Sequence, residues 1–205
     1  MSVIAIAPGV TLWREQFSKP EQKKLLDDVL ARIEQAPFYR PVMPGSGKAF
    51  SVEESNFGSL GWVSDKSGYR YQAAHPVTAR PWPDIPRMLI ELWRAIADAP
   101  DAQCCLVNLY RGDARMGLHQ DKDETALCAP VVSVSLGDEA LFRIGGETRR
   151  GPTRSVPLSS GDVVMFGGPA RLAYHGIDRI RPGSSSLVPG GGRINLTLRR
   201  VTSQP

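Results

Sequence analysis

Three histidines occur in the chain, His75, His119 and His175, and one of them stands in a pattern that could do chemistry. In His119-Gln120-Asp121 an imidazole and a carboxylate lie two residues apart, so in extended backbone both project to the same side. His175 follows the run Leu172-Ala173-Tyr174 and supplies a second imidazole. Two neutral nitrogens and one carboxylate on one side of a metal leave the other side open, which suits iron(II) that must also take a bidentate cosubstrate and dioxygen. A third element lies near the C-terminus. Arg193-Ile194-Asn195-Leu196-Thr197-Leu198-Arg199 alternates polar and apolar residues, so Arg193, Asn195, Thr197 and Arg199 share one face of a strand. If that face is buried, two guanidiniums there require an anion, because unpaired buried charge is prohibitively costly. A dicarboxylate held by an arginine fork would answer the need. The alternative is that this face meets solvent.

The elements that must position these residues follow from periodicity and punctuation. Ser18-Lys19-Pro20-Glu21 predicts a capping box, and Leu25, Leu26, Val29, Leu30 and Ile33 continue it as a helix to about Ala36. A second helix is expected from about Pro86 to Ala97. Between them, residues 43–83 show no sustained period but carry Phe50, Phe57, Trp62, Tyr69, Tyr71 and Trp82, as a functional lid would. After Asp101 short β-type runs alternate with turn signals: 104–110, 131–136, 140–144, 155–158, 163–166, 172–174 and 193–201. The expectation is a mainly β domain with flanking helices. A two-sheet sandwich or jelly roll fills 101–201, and 1–205 form a single domain.

Composition narrows the class. A chain of 205 residues with 41% hydrophobic and 22% charged residues is ordinary for one globular domain. No apolar run is long enough for a transmembrane helix, and Met1 to Val10 lacks the flanks of a signal peptide. A cytoplasmic, monomeric protein without membrane contact is the default expectation. Cys104, Cys105 and Cys128 show no metal spacing and are expected reduced. From Ala140 onward there are ten arginines, no lysine and three acids, a cationic half compatible with a polyanionic partner.

Several segments together resemble the AlkB family of oxidative nucleic-acid demethylases. They are Asn108-Leu109-Tyr110, Leu118 to Glu124, Ala129 to Gly137, Gly161-Asp162-Val163-Val164, Tyr174-His175-Gly176-Ile177 and Arg193-x-Asn195-Leu196-Thr197-x-Arg199. Leu60-Gly61-Trp62, Gly68-Tyr69-x-Tyr71 and Arg80-Pro81-Trp82-Pro83 resemble its bacterial branch, and the likeness runs from about Gly58 to Arg200. The resemblance implies a double-stranded β-helix whose N-terminal lid recognises nucleotides. It implies iron held by His119, Asp121 and His175, and 2-oxoglutarate held among Asn108, Tyr110, Arg193, Asn195 and Arg199, with Arg199 on the distal carboxylate. Trp62 and His119 would sandwich a flipped base, Asp123 would meet its exocyclic amine, and Tyr69, Tyr71 and Arg149 would contact the nucleotide. The implied reaction uses iron(II), O2 and 2-oxoglutarate to demethylate 1-methyladenine or 3-methylcytosine in single- or double-stranded DNA or in RNA, releasing formaldehyde, succinate and CO2. Two departures stand out. Ile194 replaces the Tyr usual in that strand, on the side expected to face away from the cofactor. Glu54 replaces an expected Met in the lid, where an acid facing nucleic acid would weaken binding. A hydroxylase of a protein or small molecule, and a non-catalytic jelly-roll binding module, are the competing readings.

Overall fold

The computed structural model describes residues 2–203; Met1, Gln204 and Pro205 lie outside it. Two helices and two facing sheets build the domain. Helix α1 spans Lys19–Ile33 and is started as its sequence predicts: the Glu21 carboxylate accepts from both the Ser18 amide (2.8 Å) and the Ser18 hydroxyl (2.6 Å). Helix α2 spans Arg87–Ile96 and buries Leu89, Leu92 and Trp93.

The larger sheet has seven antiparallel strands in the order β1-β2-β11-β8-β13-β6-β3. These are β1 Ser2–Ala7, β2 Val10–Arg14, β3 Glu53–Phe57, β6 Cys104–Tyr110, β8 Val131–Gly137, β11 Val163–Phe166 and β13 Arg193–Arg199. The smaller sheet runs β10-β9-β12-β7, with β7 Met116–His119, β9 Glu139–Gly145, β10 Thr153–Leu158 and β12 His175–Arg181. A separate hairpin pairs β4 Gly61–Asp65 with β5 Gly68–Gln72. This is the jelly roll expected of so many short, turn-separated strands.

Strand β13 is central, bonded to β6 on one side and β8 on the other, and every residue in it is buried. Ile194, Leu196 and Leu198 face the helices, in a cluster with Leu25, Leu26, Val29, Leu89, Trp93, Val107 and Val134. The solvent-facing alternative for Arg193, Asn195, Thr197 and Arg199 is therefore excluded, and Ile194 lies away from the polar face as expected. Between the sheets sits a second cluster that includes Leu12, Val52, Tyr110, Val131, Phe142, Ile144, Leu158, Phe166 and Ile177.

Three expectations need correction. The N-terminal hairpin β1–β2, unmarked in the sequence reading, extends the large sheet through β11. The run 172–174 is not a strand; His175 begins β12 rather than following a strand. Register shifts at Ile177 break the period-two pattern in β12, which hid it from alternation alone. Finally, residues 43–83 are not one irregular stretch. Strand β3 joins the large sheet beside β6, while the β4–β5 hairpin packs Trp62 and Tyr71 against Cys104 and Leu106.

Candidate metal and cosubstrate centre

The two imidazoles meet because the ends of two neighbouring strands meet. His119 closes β7, His175 opens β12, and the two are direct register partners with ring centroids 4.5 Å apart. The strands approach closely at Gly176, where a β-carbon would lie 2.5 Å from the Met116 carbonyl oxygen. Asp121 follows β7 and turns its carboxylate toward both rings: His119 Nε2 is 3.6 Å from Oδ1 and His175 Nε2 is 3.9 Å from Oδ2. All three ligand atoms lie within 4.8 Å of one another, the one such cluster of metal-ligating groups among the described residues.

The protonation pattern favours a metal. His119 Nδ1–H donates to the Gly117 carbonyl and His175 Nδ1–H to the Ala173 carbonyl, each at 2.9 Å. Each ring's lone pair is thereby left on Nε2, the nitrogen that faces Asp121. Burial, with His119 adding to it, pulls His175 down to about 4, so it is the neutral ring that a metal requires. Burial alone would raise the Asp121 carboxyl, but Arg199 and the two imidazoles hold it well below the ordinary carboxylate range. His75, the remaining histidine, is structural. Its Nε2–H donates to the Pro37 carbonyl (2.8 Å), and its Nδ1 accepts from the Val77 (3.0 Å) and Thr78 (3.2 Å) amides.

A cavity of about 600 Å³ opens from this cluster, and its inner wall is the polar face of β13 and β6. Arg193 is 1% exposed. Its Nη2 donates to Ser135 Oγ (3.0 Å) and Asn195 Oδ1 (2.6 Å), and its guanidinium lies 5.3 Å from the Tyr110 ring centroid. Its Nε and Nη1, and Asn108 Oδ1 nearby, find no hydrogen-bond partner among the described residues. Burial pulls the Arg193 pKa down to about 10, still cationic at neutral pH. A buried cation with two idle donors is the mark of a site built for an anion. The residues present thus fit both iron(II) and a dicarboxylate.

Arg199, expected on the distal carboxylate, lines the same cavity and lies against Asp121. Its Nε and Nη2 donate to Asp121 Oδ2 at 2.9 and 2.7 Å, and Glu124 Oε1 lies 3.3 Å from Nε. It is engaged in orienting a ligand carboxylate. Its Nη1 finds no partner among the described residues, so Arg199 offers the cavity one idle donor where Arg193, beside Tyr110, offers two.

Sequence reading missed the support behind Asp121. Arg171 is buried and donates to the Asp121 carbonyl (2.6 Å), the Ala129 carbonyl (2.9 Å) and Glu124 Oε2 (3.0 Å). Glu124 also accepts from the Tyr71 hydroxyl, so Tyr71, expected on the nucleotide, braces the loop after β7. A charged pair so far apart in the chain leaves no local signal.

At the cavity mouth Trp62 stacks on Tyr69, with centroids 5.4 Å apart and planes 21° apart. Its Nε1–H donates to Asp123 Oδ2 at 2.8 Å. Asn56 on β3 fixes the backbone of Trp62 by accepting from its amide (3.0 Å) and donating to its carbonyl (2.9 Å). Exposed Arg149 completes the rim. Trp62, Tyr69, Tyr71, Asp123, Arg149 and His119 all line the one cavity. Glu54, by contrast, does not face out from a lid: it lies on β3, fully buried, on the cavity wall.

Known proteins agree with this geometry. Residues 9–199 match the 2OG-Fe(II) oxygenase superfamily. The chain is 57% identical over 203 residues to an alpha-ketoglutarate-dependent dioxygenase AlkB homolog of Caulobacter vibrioides, covering 97% of this chain and 90% of the relative. It is 43% identical over 200 residues to the AlkB dioxygenase of Escherichia coli K12, covering 95% and 91%. This chain belongs to the AlkB family. It is an iron(II)- and 2-oxoglutarate-dependent dioxygenase. More distantly, the AlkB-family chain is 24% identical over 240 residues to a tRNA demethylase of Schizosaccharomyces pombe, covering 95% and 80%. The solved structure of OsALKBH1 superposes with a TM-score of 0.78 at 30% identity, covering 97% of this chain and all of the other. No helix of the described residues is long and apolar enough to cross a membrane.

Proposed function

We propose that this dioxygenase repairs N-alkylated bases in nucleic acid, removing the methyl group of 1-methyladenine or 3-methylcytosine in DNA, with RNA as a second polymer. The observation that carries this reading is the Trp62–Asp123 pair held over an opening that leads straight to the His119–Asp121–His175 cluster. An indole face and an adjacent carboxylate suit a flat, cationic, hydrogen-bond-donating ring. Alkylation at these ring nitrogens blocks pairing, so extruding such a base costs least, and stacking on Trp62 would return about 1–3 kcal/mol.

His119, Asp121 and His175 would hold iron, and Arg193, Tyr110, Asn108 and Asn195 would receive 2-oxoglutarate. When bound, the metal and cosubstrate would supply the oxidising chemistry that turns an N-methyl into an N-hydroxymethyl group, whose breakdown gives formaldehyde and returns a proton to the base nitrogen. The chain's own contribution is placement. Arg199 and Arg171 fix Asp121, the two backbone carbonyls fix the imidazole tautomers, and Asn56 fixes Trp62. A monomer in the cytoplasm needs no further element for this activity. Relatives named for tRNA and for DNA demethylation leave both polymers within the family's reach.

The test is formaldehyde release from a panel of methylated single- and double-stranded DNA and RNA oligonucleotides. Release with wild type and none with His119→Ala or Asp121→Ala is expected. Succinate formation without formaldehyde from any oligonucleotide would overturn the reading in favour of another hydroxylation substrate.

A further inference from the structure

Residues 120–124, which follow β7, belong to no strand or helix, so side chains rather than a sheet ladder hold them in place. Between 119 and 124 the chain supplies two groups for the metal, His119 and Asp121. The same six residues supply two carboxylates that hold the aromatic hairpin β4–β5. Asp123 accepts from the Trp62 indole on β4 at 2.8 Å, and Glu124 accepts from the Tyr71 hydroxyl on β5. Trp62 and Tyr71 are themselves direct partners across that hairpin. The metal ligands and the hairpin at the cavity mouth are thus fastened to one short segment.

Glu124 is the joint between them. It is buried together with Asp121, Arg171 and Arg199. Its Oε1 takes the Tyr71 hydroxyl and lies 3.3 Å from Arg199 Nε, which donates to Asp121 Oδ2 at 2.9 Å. Its Oε2 accepts from Arg171 Nη2 (3.0 Å), and Arg171 Nη1 donates to the Asp121 carbonyl (2.6 Å). Two routes therefore lead from the Tyr71 hydroxyl to Asp121, one to its carboxylate through Arg199 and one to its backbone through Arg171. The two carboxylates and two guanidiniums move as a set, because displacing one would leave a buried charge uncompensated. Charge balance accounts for those four groups but not for the fifth. Tyr71 brings no charge, and it comes from the hairpin that carries Trp62.

We propose that Glu124 is a positioning residue that couples the two parts of the site: a methylated nucleotide held under the hairpin strengthens metal binding, and the metal strengthens the hold on the nucleotide. The inference rests on the base-repair reading above and adds a dependence between its two binding events. Chelation by His119 and Asp121 fixes residues 119–124, and with them the points to which Trp62 and Tyr71 are tied. The cost of ordering this segment is met once, by whichever ligand arrives first, so the second binds more tightly. Linkage makes the effect equal in both directions. The metal is then held most firmly when a base is in place to be oxidised.

The experiment measures iron(II) affinity by competition with a chelator, in the absence of oxygen, with and without a single-stranded oligonucleotide carrying 1-methyladenine. Oligonucleotide affinity is measured in parallel by fluorescence anisotropy with and without iron(II). Wild type is expected to gain about tenfold in each, the two factors being equal. Tyr71→Phe removes the hydroxyl but keeps the ring against Cys104 and Leu106, and Asp123→Ala cuts the other tie from an exposed position. Each should reduce the factor to about threefold or less. Equal iron(II) affinity with and without the oligonucleotide in wild type would overturn the proposal. So would a Tyr71→Phe protein that binds either ligand more weakly yet keeps the wild-type factor, because a merely structural hydroxyl lowers affinities without changing their coupling. Formaldehyde release from the same oligonucleotide by wild type is read separately. Release without coupling sinks this inference alone, whereas failure to bind and to release formaldehyde sinks the base-repair reading and this inference with it.

Discussion

At the scale of single residues, the two arginines of β13 do different work despite sharing a face. Arg193 keeps Nε and Nη1 idle in the cavity wall, whereas Arg199 spends Nε and Nη2 on Asp121 and leaves only Nη1 without a partner. Arg193→Ala should raise the 2-oxoglutarate dissociation constant roughly 10- to 100-fold, since charged hydrogen bonds contribute about 1.5–3 kcal/mol each. Equilibrium titration of the iron-loaded protein reads this directly, and an unchanged constant would remove Arg193 from the cosubstrate site. Arg199→Ala should act first on the metal, lowering iron affinity about 10- to 100-fold as loss of a ligand's supporting partner does; competition with a chelator measures it. Glu54 carries a stability cost with a definite sign. Its folded-state pKa lies above the ordinary value of 4.5, so the unfolded chain ionises first as pH rises. Stability is therefore full below about pH 4.5, declines up to about 8, and is flat above. Relative to Glu54→Gln, wild type should lose on the order of 3 kcal/mol by pH 7. Urea titrations of both proteins at several pH values test it; parallel pH dependence would mean that Glu54 is not protonated in the fold.

At the scale of elements, the site depends on how closely β7 approaches β12. Gly176 lets the two strands meet, because a β-carbon there would press on the Met116 and Gly117 carbonyls. Gly176→Ala should push the strands apart near His119 and His175. Displacement of about an ångström can reduce activity roughly a hundredfold, with little change in the far-ultraviolet circular dichroism of a fold held by β13. Activity within a few-fold of wild type would show that the strands tolerate the methyl group. The lid is likewise two elements with separate duties. Strand β3 contributes Glu54 and Asn56 to the rigid sheet, and the β4–β5 hairpin presents Trp62 above them. Trp62→Ala should impair turnover of methylated oligonucleotides while leaving 2-oxoglutarate affinity unchanged, and equal loss of both would make the indole a packing residue only.

At the scale of the whole molecule, charge is unevenly spread along the sequence. The formal net charge is only +4, yet the last third of the chain has ten arginines against three acids. Several of these are consumed internally: Arg171, Arg193 and Arg199 are buried, and Arg143 pairs with Asp178 at 3.1 Å. Exposed arginines such as Arg149 and Arg150 remain for the polyanion. Oligonucleotide affinity should thus fall several-fold between about 50 and 200 mM salt, as release of a few counterions requires, while 2-oxoglutarate bound in the interior should respond much less. Fluorescence anisotropy against salt measures the slope, and a zero slope would exclude a phosphate-binding surface.

What the sequence determined by itself was everything that alternation and local spacing encode. His119-x-Asp121 put two ligands on one side of the chain, and the period-two pattern of 193–199 separated a polar face from an apolar one. The turn signals between 104 and 166 marked most of the barrel strands. The tertiary structure decided what depends on partners distant in the chain. It made the polar face of β13 interior, distinguished Arg193 from Arg199, recruited Arg171 and Glu124 behind Asp121, and drew β3 out of the apparent lid. It also turned Glu54 from a surface acid into a buried, protonated one. The physical reason is the same throughout: local pattern fixes which way a side chain points along its strand, but burial, and with it charge state and the demand for a partner, is set only when the strands find their neighbours.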